Sequence, residues 1–115
     1  MPTYLLLVTT DKTVPATEAD RENAPDVQGW VQALDDAGRR VAGDPLMPAA
    51  QARTVRVRGG ETLVTEGPFA EASEVIVGLD IVHCADVDEA IRVAAGHPMA
   101  WSNAIEVREF TSLEG

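Results

Sequence analysis

Arg53-Thr54-Val55-Arg56-Val57-Arg58-Gly59-Gly60-Glu61-Thr62-Leu63-Val64-Thr65, followed by Glu66-Gly67-Pro68-Phe69-Ala70-Glu71, decides how the rest of the chain is arranged. Two alternating runs rich in β-branched residues flank Gly59-Gly60, and a two-residue loop of this kind supplies the positive φ angles that a tight hairpin turn requires. Val55 and Val57 share one face of the first run, while Thr54, Arg56 and Arg58 share the other. Gly67-Pro68 after the acidic Glu66 is turn chemistry, with Pro68 presetting its own φ. The stretch therefore predicts a β-hairpin that ends in a sharp turn.

Working outward, Val75 to Cys84 reads as a longer and more apolar strand. Asp86-Val87-Asp88-Glu89 then opens a helix, with Asp86 as N-cap and Glu89 three residues on, as in a capping box. Val87, Ala90, Ile91 and Ala94 form its expected buried stripe; Gly96 and Pro98 end it, and Ala104 to Phe110 is a last strand. On the other side, Tyr4 to Thr9 has the length and composition of a buried strand. Residues 11 to 25 are polar, carry Pro15 and Pro25, and read as a loop with at most one helical turn. Pro25 opens a helix in which Val27, Trp30, Val31 and Leu34 fall at i, i+3, i+4 and i+7, and Gly38 stops it. Val41 to Asp44 is a short strand closed by Pro45 and Pro48.

The order β, α, β, hairpin, β, α, β places two helices on one face of a mostly antiparallel sheet, the α+β, ferredoxin-like pattern. Two helices leave the other sheet face uncovered. Apolar residues there need a partner, and a second subunit is the economical one, so a homodimer is expected.

The 115 residues form a single domain, 1–115, with 45% apolar and 24% charged residues, ordinary values for a globular protein. The net charge of −10, with Lys12 as the single lysine, opposes binding to nucleic acid or to an anionic membrane. No apolar run is long enough to cross a bilayer, and Met1-Pro2-Thr3-Tyr4 lacks the basic region of a signal peptide. Cys84 is the single cysteine, which excludes an intrachain disulfide and fits a reducing cytoplasm. The two histidines lack metal-ligand spacing, and no phosphate loop or dinucleotide fingerprint is present, so neither metal nor cofactor is expected.

Thr54-Val55-Arg56, Leu63-Val64-Thr65-Glu66-Gly67-Pro68-Phe69-Ala70-Glu71, Ala85-Asp86-Val87-Asp88-Glu89-Ala90, His97-Pro98 and Ile105-Glu106-Val107-Arg108 together resemble the YCII-related family, in its DGPF branch, with Glu66 in place of the Asp of that turn. The resemblance runs from Tyr4 to Phe110 and is strongest from Arg53 onward. It implies a homodimeric α/β barrel, in which two ferredoxin-like subunits face their sheets together around a cavity. The group includes small-molecule isomerases, monooxygenases and lyases, and many members of the branch are encoded beside alternative sigma factors. Other branches pair a histidine near the start of the first long helix with an aspartate before a proline after the second. The corresponding positions here are Val27 and His97, so that dyad is not present as such.

His97 and Asp80 are the candidate catalytic residues. An imidazole with a pKa near ~6.5 trades protons at neutral pH, and a helix C-terminus favours its protonated form. The alternative is a structural cap on the last carbonyls of that helix. Asp80 interrupts Val77, Gly78, Leu79, Ile81 and Val82. If Val77, Leu79 and Ile81 pack under the helices, Asp80 points into the inter-subunit cavity. Arg108 or Arg56 is its expected partner, either in a structural ion pair or as part of acid–base machinery. His83 is expected on the helix-packed face in a structural role, Cys84 on Asp80's face as a small buried residue, and Trp30 in the core. Trp101 is expected in a loop and, with Arg108, as a binding residue. Two readings follow: a cofactor-independent lyase or isomerase acting on a small metabolite, or a non-catalytic accessory protein that binds a small ligand or a regulatory partner such as a sigma factor.

Overall fold

The computed structural model describes residues 1–67 and 75–111. Along the chain run β1 (Thr3–Thr9), α1 (Glu18–Glu22), α2 (Val27–Asp36), β2 (Arg40–Pro45), a 3-10 turn at Ala49–Gln51, β3 (Arg53–Arg58), β4 (Glu61–Glu66), β5 (Ile76–His83), α3 (Val87–Ala95), α4 (Pro98–Ser102) and β6 (Ala104–Glu109). Four strands form one sheet in the order β2-β5-β1-β6, and every neighbouring pair is antiparallel. This mixed α+β architecture is compatible with the ferredoxin-like pattern.

The helices start where side chains can satisfy the backbone N–H groups of a first turn. Asp26 rather than Pro25 caps α2, accepting the Gly29 N–H at 2.9 Å. Asp86 caps α3 as expected, accepting the Glu89 N–H at 2.8 Å. Glu89 completes only part of a capping box, because its carboxylate takes the Ala85 N–H and pairs with Arg39 at 2.8 Å. A full reciprocal box instead joins Thr17 and Asp20 at α1. Of the stripe expected to be buried on α3, Ala90 and Ala94 are in the core, whereas Val87 and Ile91 face outward. Val93 packs against that core instead.

Tyr4, Leu6, Val82 and Cys84 lie between the sheet and the helices with Leu34, Ala90 and Ala94. Burial alternates along β5 so that Gly78, Asp80 and Val82 face the helices, with Val77, Leu79, Ile81 and His83 on the opposite face. This reverses the facing predicted for the strand. Both parities of β1 are apolar, with Leu5 and Leu7 opposite Ile81 and Leu79, so apolarity alone could not tell the two faces apart. His83 accordingly sits on the helix-free face, its Nδ1 3.1 Å from the Thr3 hydroxyl.

The hairpin forms as predicted but as a separate two-stranded sheet, with Gly59 and Gly60 at φ 56° and 80°. Its register sets Val55 opposite Val64 and Val57 opposite Thr62. The Gly67 N–H to Ala52 carbonyl bond, 2.8 Å, closes its base. Pro68-Phe69-Ala70-Glu71 of the following turn lie outside the described residues. No helix among the described residues is long and apolar enough to cross a membrane.

Candidate functional site

Between α2, the edge strand β2, the start of β5 and the turn into α4 lies a cavity of about 1060 Å³. The α2 stripe Val27, Trp30 and Val31 lines it, so these side chains wall a space and only Leu34 of that stripe is fully in the core. Polar groups converge on it from three further elements: Arg40 from β2, Asp80 from β5, and His97 ahead of α4.

Asp80 is 6% exposed and lies opposite Gly43 in the β2–β5 ladder. A Cβ on Gly43 would fall 2.0 Å from Oδ1 of Asp80, so the carboxylate occupies the space that any other residue at 43 would fill. Arg40 fixes that carboxylate. Its Nε donates to Oδ1 at 3.1 Å, and an N–H of its Nη2 donates to the Gly43 carbonyl. Burial pushes the Asp80 carboxyl above the usual aspartate range, opposed by the Arg40 hydrogen bond and charge and by His97. The partner is therefore Arg40. Arg108 is on β6 opposite Leu5, exposed on the helix-free face.

His97 is 8% exposed and caps α4 rather than the end of α3: Nδ1 accepts the Met99 N–H at 3.0 Å. That bond leaves the proton of the neutral ring on Nε2. The imidazole meets Trp30 edge to face, with centroids 4.7 Å apart, while the Trp30 indole donates to the Val93 carbonyl at 2.8 Å. Burial lowers the His97 pKa and the negative charge of Asp80 opposes it only in part, so the helix-end stabilisation of imidazolium predicted from sequence is outweighed.

Each of these two side chains thus has one polar atom held by the fold and one left over. Asp80 Oδ2 and His97 Nε2 make no hydrogen bond to the described residues. Among those residues no side-chain nitrogen or oxygen is both sealed from solvent and unpaired, so both atoms keep an open side, and the cavity provides it. The chemistry on offer is a carboxylate oxygen that accepts a proton and an imidazole N–H that donates one.

The other sequence candidates lie elsewhere. Trp101 is on α4 rather than in a loop, and it lines a second, smaller pocket of about 380 Å³ with Asp11 and Asp20, its indole donating to the Ala95 carbonyl. Neither Trp101 nor Arg108 lines the Asp80–His97 cavity. Cys84 is buried in the core, and burial pushes its thiol pKa up. No group of three or more His, Cys, Asp or Glu side chains among the described residues is arranged to hold a metal. Sequence reasoning missed Arg40 and Gly43. A glycine inside a short strand is the available signal, since it marks a close approach. Val27 and His97, where the family resemblance places the dyad of other branches, both line this cavity.

Comparison with known proteins agrees with that resemblance at the family level. The chain matches the YCII-related domain over residues 2–114. It is 33% identical over 94 residues to an uncharacterized protein of Rhizobium meliloti (strain 1021), covering 79% of this chain and 76% of that protein. The chain belongs to the YCII-related family.

Proposed function

We propose that this member of the YCII-related family binds a small, largely apolar metabolite in the Asp80–His97 cavity and moves a proton on it without a cofactor, as a lyase or isomerase does. One observation carries the reading: two side chains more than nine-tenths buried line the same cavity, and each has a polar atom, Asp80 Oδ2 and His97 Nε2, with no hydrogen bond to the described residues. Both atoms keep an open side, so a ligand in the cavity can take the place of solvent and pair with an acceptor and a donor at once. Asp80 Oδ2 accepts a proton from the ligand, and the Nε2–H of neutral His97 donates to a carbonyl or hydroxyl oxygen. Arg40 positions the carboxylate, while Val27, Val31 and Trp30 exclude water from the apolar part of the ligand. The ligand class is thus a molecule with an acidic C–H or O–H next to an oxygen acceptor on an apolar body.

The reading extends to a DGPF-branch homodimer in the cytoplasm, in which a second subunit covers the helix-free face of Leu5, Leu7, Leu79 and Ile81. A second reading is ligand binding without turnover, as in an accessory protein serving a partner such as a sigma factor. It is favoured by Val27, which stands where the dyad histidine of other branches is found. Turnover of a metabolite panel by the wild type and by Asp80→Asn separates the two. Turnover that Asp80→Asn abolishes supports catalysis, binding without turnover supports the second reading, and turnover unchanged in Asp80→Asn refutes the assigned site.

A further inference from the structure

The β3–β4 hairpin has no role in the cavity. Its strands pair only with each other, and Val55, Val57 and Val64 on one face are 58–60% exposed. An isolated two-stranded hairpin is marginal in water, and three valines on one exposed face make a surface that needs covering. The hairpin also stands away from the body. The radius of gyration is 16.3 Å, where a compact domain of this length has about 13 Å.

Two further observations name the occupant. The same chain carries a second apolar surface, the half-buried helix-free face with Leu5, Leu7, Val77, Leu79 and Ile81, and the hairpin extends neither edge of that sheet. The charge is also divided. The hairpin holds three arginines, Arg53, Arg56 and Arg58, against two acids, Glu61 and Glu66, in a chain of net charge −10. The arm is net basic and the rest of the molecule strongly acidic, with Asp44 and Glu106 aligned beside Leu79 and Leu7.

We propose that the β3–β4 hairpin is an intersubunit clasp: the arm of one copy lays its valine face on the helix-free sheet face of a second copy. This inference rests on the two-subunit reading above and adds to it which segment holds the subunits together. Burial of the valines supplies the attraction, and the opposite charges of arm and body steer the encounter.

Sedimentation equilibrium of the wild type, then of the Val55→Glu/Val64→Glu double variant, tests the clasp. A dimer whose dissociation constant rises at least about tenfold in the folded variant is expected. Val57→Cys and Leu7→Cys single variants, mixed and mildly oxidised, locate the seat. A mixed disulfide dimer between the two variants is expected; Cys84 is buried and stays out of the reaction. A monomeric wild type overturns the dimer and the clasp together. A dimer that the glutamates leave unchanged, or that yields only Val57→Cys self-pairs or no cross-link, overturns the clasp alone.

Discussion

Gly43→Ala puts the placement of Asp80 to a quantitative test. The new methyl would lie 2.0 Å from Asp80 Oδ1, 2.7 Å from its Cγ and 2.8 Å from the Leu79 carbonyl oxygen. These are far inside contact distance, and the last is backbone in the middle of the β2–β5 ladder. Accommodation requires either that β2 shift or that the carboxylate leave its position 3.1 Å from Arg40 Nε. Overpacking of this kind costs about 1–3 kcal/mol, and loss of a charge-assisted hydrogen bond about 1.5–3 kcal/mol. Either route alone costs at least about 1 kcal/mol and the two together about 2.5–6 kcal/mol, and for a chain of 115 residues each kcal/mol moves Tm by about 4 °C. Gly43→Ala is therefore expected to melt about 4–24 °C below the wild type, read by far-UV circular dichroism. Gly29→Ala is the control. Its Cβ would sit at an ordinary 3.5 Å from the Asp26 carboxylate inside α2, where replacing glycine by alanine stabilises by about 0.5–1 kcal/mol. If Gly43→Ala melts with the wild type, the carboxylate does not occupy the space above Gly43 and the site is wrongly assembled.

Two further variants follow from the same geometry. Because burial holds the His97 pKa below its unfolded value of ~6.5, its contribution to stability is fully present above that pH and is lost as pH falls through the folded pKa. His97→Asn keeps an acceptor for the Met99 N–H, asparagine being among the best N-caps. Thermal unfolding from about pH 8 to about pH 5.5 should show the wild type losing stability relative to this variant; parallel profiles would contradict it. Arg40→Met leaves Asp80 buried without its cation, which costs about 3 kcal/mol. It also removes the interaction that restrains the carboxyl, so Asp80 should titrate at higher pH by carbon-detected NMR, and stability should fall as pH rises through that value. An unchanged Asp80 titration would show that Arg40 is not its partner.

Most elements were legible because their signals are local. Gly59-Gly60 fixed the hairpin, Asp86 the start of α3, and the Val27–Leu34 spacing the course of α2. What was not legible depends on which elements meet. Leu5, Leu7, Leu79 and Ile81 are as apolar as the residues on the other face of the sheet, so the facing of β5 could not be read from β5 itself. The same ambiguity directed Asp80 away from the helices in sequence reasoning, whereas pairing with β2 sets it over Gly43 beside Arg40. His97 was found by its chemistry, but its role as the cap of α4 depends on a five-residue helix too short to announce itself. Trp101, four residues on from His97, lines a separate pocket with Asp11 and Asp20, and the aromatic that meets the imidazole is Trp30.

The most direct test of the central claim is a fragment screen followed by ¹H–¹⁵N and imidazole NMR shifts on the folded wild-type protein. The account predicts that small apolar fragments carrying a hydroxyl beside a carbonyl shift the Gly43 amide, the Trp30 indole and the His97 ring together, and that Asp80→Asn weakens them. Fragment shifts gathered around Trp101, or binding at the cavity that Asp80→Asn leaves unchanged, would contradict it.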